Sequence, residues 1–269
     1  DSTLGRGTQR AAGANTVLLP VPDAEATETA TGVLARITLL QPAADTTVSI
    51  AAAEGAQSSL LFGRAGATVS TTALLPLSEG GVTLHADEAS HVRVEPLAYL
   101  RGDAQAPGST TALPEAARRA DTEQGLGGST LAREPLWFGL TGQGGVPSEL
   151  VRSVYVSFDV TLATANTLVL ADGQRIPLSA GRSVFTTIVT PDEHGGVEAS
   201  LADDGTGQLV ADVTGWVAEA AAHSTAANRV GSYVSATKVE ELRAEVAASA
   251  PATGLTLSDH DDVAYALAL

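Results

Sequence analysis

Five histidines, His85, His91, His194, His223 and His260, are the first places to look for chemistry. None stands in a His-Glu-x-x-His frame, the spacing that sets two imidazoles on one helix face around zinc. Asp259-His260-Asp261-Asp262 offers oxygen ligands to a hard cation but lacks the glycine-punctuated spacing of a calcium loop. Asp203-Asp204-Gly205-Thr206-Gly207 has the composition of a turn whose side chains bond their own backbone. Both read as solvated acidic turns before they read as metal sites. Gly5-Arg6-Gly7 and Gly125-Leu126-Gly127-Gly128 share only their glycines with phosphate loops; neither follows a buried strand, and no Gly-Lys-Ser/Thr occurs. No Gly-x-Ser-x-Gly elbow marks a hydrolase nucleophile. Arg101-Gly102-Asp103 is the tripeptide of integrin ligands, read here as a coincidence in a chain rich in Arg and Gly. Trp216 and Trp137 remain as flat rings on which a sugar could stack, with Trp216 read first as a core anchor. The expectation is a chain without a catalytic, cofactor or metal site.

Composition narrows the classes further. Of 269 residues, 44% are hydrophobic, enough for a packed core, yet only 4% are aromatic, so Ala, Val and Leu must fill it. A formal net charge of −16 argues against nucleic acid and against anionic lipid surfaces, both of which need clustered Lys and Arg. Without cysteine there is no disulfide framework, thiolate zinc site or Cys nucleophile. No apolar run reaches the roughly 18 residues that a membrane span requires. Methionine is absent, also at position 1, which reads as a removed leader or a trimmed chain.

The elements that must position these residues are announced by an echo. Gly181-Arg182-Ser183-Val184-Phe185-Thr186-Thr187 is followed by Gly195-Gly196-Val197; Gly66-Ala67-Thr68-Val69-Ser70-Thr71-Thr72 is followed by Gly80-Gly81-Val82 at the same separation. Two motifs sharing one offset point to a duplicated module. Residues 1–102 read as the first β module, 103–118 as a linker rich in Ala, Gly, Ser, Thr and Pro, 119–218 as the second module, and 219–269 as a tail. Within the modules apolar residues alternate: Val33, Ala35, Ile37 and Leu39 in one strand, Val154, Val156, Phe158 and Val160 in another. Val92, Val94, Leu97 and Tyr99 are expected inward in a strand over 91–100. Short strands and frequent turns, with no sustained helical period, predict an all-β fold of two tandem antiparallel sandwiches, with a closed barrel or trefoil as the structural alternative. In the tail, Thr237 with Glu240 has capping-box spacing, and Val239, Leu242 and Val246 share a helix face that stops before Pro251. Val263, Tyr265, Leu267 and Leu269 alternate with alanines and predict a terminal strand. Such a strand needs an edge to pair with, in its own module or in a neighbouring subunit.

From Arg119 to Val217 the chain resembles a known module. Arg119-Ala120-Asp121-Thr122 with Gly125-Leu126-Gly127-Gly128 is similar to the Asp-Thr-Arg-x-Gly-x-Gly opening of a repeat common in secreted actinobacterial proteins. Thr141-Gly142-Gln143-Gly144-Gly145-Val146-Pro147 resembles its Thr-Gly-x-Gly-Gly-Val-Pro segment, and Val156 to Thr161 its Val-x-x-Asn-Val-Thr strand. Leu209-Val210-Ala211-Asp212-Val213-Thr214-Gly215-Trp216-Val217 resembles its closing Val-x-x-Asp-Val-x-Gly-Tyr-Phe. Two positions depart from the pattern: Glu123 replaces the opening Arg, and Asp159 the strand Asn. The resemblance implies an extracytoplasmic β module that accompanies enzymes or forms surface proteins, with no implied catalytic site. Structural roles are expected for Asp121, Gly125, Gly181, Gly195, Gly196, Asp212, Gly215 and Trp216. The functional expectation is a non-enzymatic extracellular structural or surface-assembly protein whose partner is itself, a subunit of a fibre or surface layer. The alternative is a glycan- or cell-wall-binding module whose binding depends on Trp216 or Trp137.

Overall fold

A computed structural model describes residues 16–19, 30–52, 56–77, 81–88, 90–101 and 108–219. All lie within one compact unit, Asp1–Glu219. They form strands and turns, and no helix among them is long and apolar enough to cross a membrane. The strands are β1 (Thr16–Leu19), β2 (Ala30–Leu40), β3 (Thr46–Ala51), β4 (Gln57–Gly63), β5 (Val69–Pro76), β6 (Val82–Ala86) and β7 (His91–Arg101). Then come β8 (Thr110–Asp121), β9 (Leu136–Gly139), β10 (Val151–Leu162), β11 (Asn166–Leu170), β12 (Arg175–Leu178), β13 (Gly181–Val189), β14 (Gly196–Leu201) and β15 (Gly207–Ala218).

Period-two burial builds four antiparallel sheets from them. Val33, Ala35, Ile37 and Leu39 of β2 are buried, as are Val154, Val156, Phe158 and Val160 of β10. The β5-β2-β7 sheet faces the β1-β6-β3-β4 sheet over an apolar cluster that includes Ile37, Leu39, Val48, Leu60 and Leu84. The β13-β10-β15-β8 sheet faces β12-β11-β14-β9 over a second cluster, where Phe158 meets Phe138 edge-on at 6.4 Å and stacks on Phe185 at 5.4 Å. Each fully buried Val, Leu or Phe contributes roughly 1.5–3 kcal/mol.

The second pair of sheets has the strand order of a jelly roll, eight strands in two sheets joined as Greek keys. The first pair repeats that order, β1 to β7 standing where β9 to β15 stand; no described strand stands in the place of β8. Its irregularities repeat as well. Against β7, β2 slips between Ala30 and Gly32 and between Leu34 and Ala35; against β15, β10 slips between Val151 and Ser153 and between Tyr155 and Val156. Tyr99, opposite Val33, therefore holds the place that Trp216 holds opposite Val154.

Two expectations need correction. The linker over 103–118 is in large part strand β8, which starts at Thr110. Its alanines are not the mark of a loose connection. Ala116 belongs to the first apolar cluster, while Ala117 and Ala120 belong to the second, and small side chains let one strand serve both. Pro114 is exposed and sits where the β8–β15 register breaks, a place that does not need its missing N–H. Leu97 is 51% exposed rather than inward, because it is the extra residue of the bulge between Pro96 and Ala98. The helix expected from Thr237 and the terminal strand Val263, Tyr265, Leu267 and Leu269 lie outside the described residues.

Candidate functional site

At the end of its sheet in the strand order, β4 presents outward backbone groups that its only sheet partner, β3, does not satisfy. Side chains of the β13-β10-β15-β8 sheet satisfy them. The carbonyl of Gln57 accepts a hydrogen bond from Arg118 of β8 at 3.1 Å, and that of Ser59 accepts from the Ser157 hydroxyl of β10. Further along, Arg182 of β13 donates to the Ser59 hydroxyl at 3.2 Å and lies 5.4 Å from the centre of the Phe62 ring. The order of contacts along β4 follows the order of the strands beneath, so β4 crosses them steeply. The lengths agree: five residues of strand reach about 17 Å, and three interstrand spacings about 14 Å. The two sandwiches are thus joined sideways, edge upon face, and not stacked end to end. Arg64, just past β4, donates to the Ala180 carbonyl at 2.9 Å.

Two of the arginines at this seam are paired with carboxylates. Arg118 forks onto Asp212 at 3.0 and 3.3 Å and reaches Asp121 at 3.0 Å. Asp212 and Asp121 are only 2% and 4% exposed. Burial works to lower the pKa of Arg118, but hydrogen bonds and charge from Asp212 and Asp121 outweigh it and hold the group above its ordinary value. Burial raises the pKa of Asp212, and Arg118 offsets part of that rise. Arg182 bonds Asp159 at 2.6 Å through Nη2 and 3.0 Å through Nε, and donates to the Thr47 hydroxyl at 2.8 Å. Its hydrogen bond to Asp159 outweighs burial and raises its pKa. Asp159 is therefore balanced by Arg182.

Close approach completes the seam. Ala52 and Ala116 form a parallel bridge between β8 and the residue after β3. A methyl group on Gly215 would lie 2.3 Å from Leu74 Cδ2 and 2.4 Å from the Thr111 carbonyl, so only glycine fits there. The opening and closing motifs meet because β8 and β15 are neighbours: Thr122 Oγ1 accepts from the Leu209 N–H at 2.9 Å. Asp121 closes the turn to Leu126 with paired backbone bonds of 2.9 Å, and Gly125 lies within that turn at φ 75°. Gly181 opens β13 at φ 89°. Arg119, the bulge residue between Arg118 and Ala120, is buried beneath the glycine-rich loop and donates to the Gln143 carbonyl at 2.5 Å.

The tryptophans part company. Trp216 is 6% exposed within the second apolar cluster, with no acceptor for its Nε1 among the described residues. Trp137, on β9, is 45% exposed. Its indole lies over Gly196 and Gly139 on the outer face of the β12-β11-β14-β9 sheet; a methyl on Gly196 would sit 2.3 Å from Cζ2, and one on Gly139 3.5 Å from Cη2. Trp137 Nε1 donates to Asp192 Oδ2 at 2.9 Å. Asp192 Oδ1 in turn accepts the N–H groups of His194 and Gly196, each at 2.9 Å, and Gly195 forms the turn at φ 78°. Burial pushes the Asp192 carboxyl upward, but these donors outweigh it and hold its pKa below the ordinary value. No group of three or more His, Asp and Glu gathers among the described residues.

Sequence reasoning missed Arg118, Arg182 and Asp159 as a set. Asp159 alone carried a signal, a charge between Phe158 and Val160; Arg118 and Arg182 carried none. No protein-family model matches the chain. No curated protein matches it either. One solved structure, described as the triple jelly roll fold and turret assembly in an archaeal virus, is similar at 10% identity, over 74% of this chain and 51% of that one, with a TM-score of 0.28. This chain therefore spans about half the length of that neighbour. The jelly-roll strand order is a property of this chain's own sheets.

Proposed function

We propose that the chain is a non-enzymatic structural subunit, two copies of one jelly-roll module, that assembles with further copies of itself at the cell surface. The seam carries this reading. It is a heterologous contact, the outer face of one sandwich against the edge of the other, and such a contact can be repeated. Leu74 of β5 is fully buried at the seam, but Ile188, which holds the same place in β13, is 47% exposed. On the face side, Arg36 and Glu95 pair where Ser157 and Asp212 pair in the second sandwich, and Arg36 is exposed. A second copy would set the Arg36–Glu95 face against the Ile188 edge. Head-to-tail repetition closes a ring or extends a fibre, depending on the rotation between copies. The resemblance of Arg119 to Val217 to the secreted module supports an extracytoplasmic setting.

Sedimentation at several concentrations tests this. Mass is expected to rise with concentration, and Ile188→Asp or Arg36→Glu to suppress the rise. A monomer at every concentration overturns the reading. Truncation before Leu255 separates the face contact from strand donation by the tail, since assembly through the seam faces survives the deletion.

A further inference from the structure

We infer that Trp137 is the platform of a saccharide-binding site that takes the face of a neutral pyranose ring. The site is independent of the seam and of self-assembly.

The ring is built to stay flat. With no Cβ at Gly196 or Gly139, the sheet beneath is a bare backbone shelf, and the indole covers it with one face. The other face is open, which accounts for an exposure near one half, 45%. The bond from Nε1 to Asp192 pins the ring's edge, and the Asp192 turn is itself tied to Leu140 and Thr141 through the Gly195 carbonyl at 2.8 and 3.0 Å. Binding therefore freezes little. An aromatic face with its negative quadrupole attracts the polarised C–H groups of a sugar.

The surroundings select the class. Glu198 is the cross-strand partner of Trp137 and is exposed, and Asp192, Glu193 and His194 form the adjoining turn. The Gln143 amide lies 3.6 Å from where a Gly139 methyl would stand. Carboxylates and an amide accept and donate to hydroxyls. With carboxylates at the rim and a net charge of −16 on the chain, uronic, sialic or sulfated sugars are repelled. A single ring gives a cation only one aromatic wall, whereas a pyranose needs one flat face.

Tryptophan fluorescence of the full chain, titrated with neutral gluco-, xylo-, manno- and chito-oligosaccharides, tests the site. Trp216 is buried, so a change in signal comes from Trp137. The expected result is saturable binding by at least one neutral series and none by its acidic counterpart. By pull-down on the insoluble polymer, Trp137→Ala should lose at least tenfold in affinity and Glu198→Gln several-fold, both variants still unfolding cooperatively above the assay temperature. The inference fails if no neutral series binds at millimolar concentration or if Trp137→Ala binds as well as the parent. It fails also if tetramethylammonium or a lysine-rich peptide saturates the signal instead. Loss of self-association in Trp137→Ala, without any sugar effect, assigns the ring to assembly and overturns the saccharide site while leaving the assembly reading intact.

Discussion

Arg182 joins both sandwiches through one guanidinium: Asp159 on its own sheet, Thr47 and Ser59 across the seam, and the face of Phe62. Removing it strands a largely buried carboxylate and two hydroxyls whose donor is gone. Arg182→Ala is expected to lower stability by about 2–3 kcal/mol, the range for losing a charged hydrogen-bonding partner. Arg182→Lys should recover only part, because a compact ammonium cannot fork onto Asp159 while reaching Thr47. Urea unfolding measures both; a Lys variant as stable as the parent would show that fork geometry contributes nothing.

Strand β8 is the element on which the architecture turns. One of its alanines packs in one cluster and two pack in the other, so side-chain volume on either side is fixed. Its neighbour β15 meets Leu74 at Gly215. Gly215→Val would drive a branched side chain into Leu74 and the Thr111 carbonyl, both under 3 Å from the new Cβ. Overpacking at a site bounded by backbone costs about 1–3 kcal/mol. A lower melting temperature is expected, and a smaller loss for Gly215→Ala in a Leu74→Ala background, where the clash with Leu74 is relieved and only that with the Thr111 carbonyl remains. Additivity of the two single changes would mean that Gly215 and Leu74 do not touch in solution.

The whole described unit should unfold as one. Two apolar clusters ordinarily permit two transitions, but β8 lies in both and the seam ties the edge of one sandwich to the face of the other. Calorimetry is expected to give a single peak whose calorimetric and van't Hoff enthalpies agree. Combining Arg118→Ala with Arg182→Ala should split it in two, because the ion-paired contacts that tie the two sandwiches are then gone. A split peak in the unaltered chain would show that the seam does not couple the halves.

Most strands were legible in the residues alone, because a half-buried strand must alternate and a hairpin must turn on glycine. Val33 to Leu39 and Val154 to Val160 carry that alternation without interruption. The site was far less legible. Nothing local distinguishes Arg118 or Arg182 from a solvated arginine, since their partners Gln57, Ser59 and Thr47 are distant in sequence and meet them only after both sandwiches exist. Strand β8 was hidden for a related reason: a segment packed on both faces needs small side chains, and small side chains also compose linkers. Trp137 and Trp216 are the same residue type on neighbouring sheets, and only the pleat decides which ring is buried. Sequence determines what lies within one strand's reach, because periodicity and turn chemistry are local; the meeting of an edge with a face is tertiary, because it depends on where two independently formed surfaces come to rest.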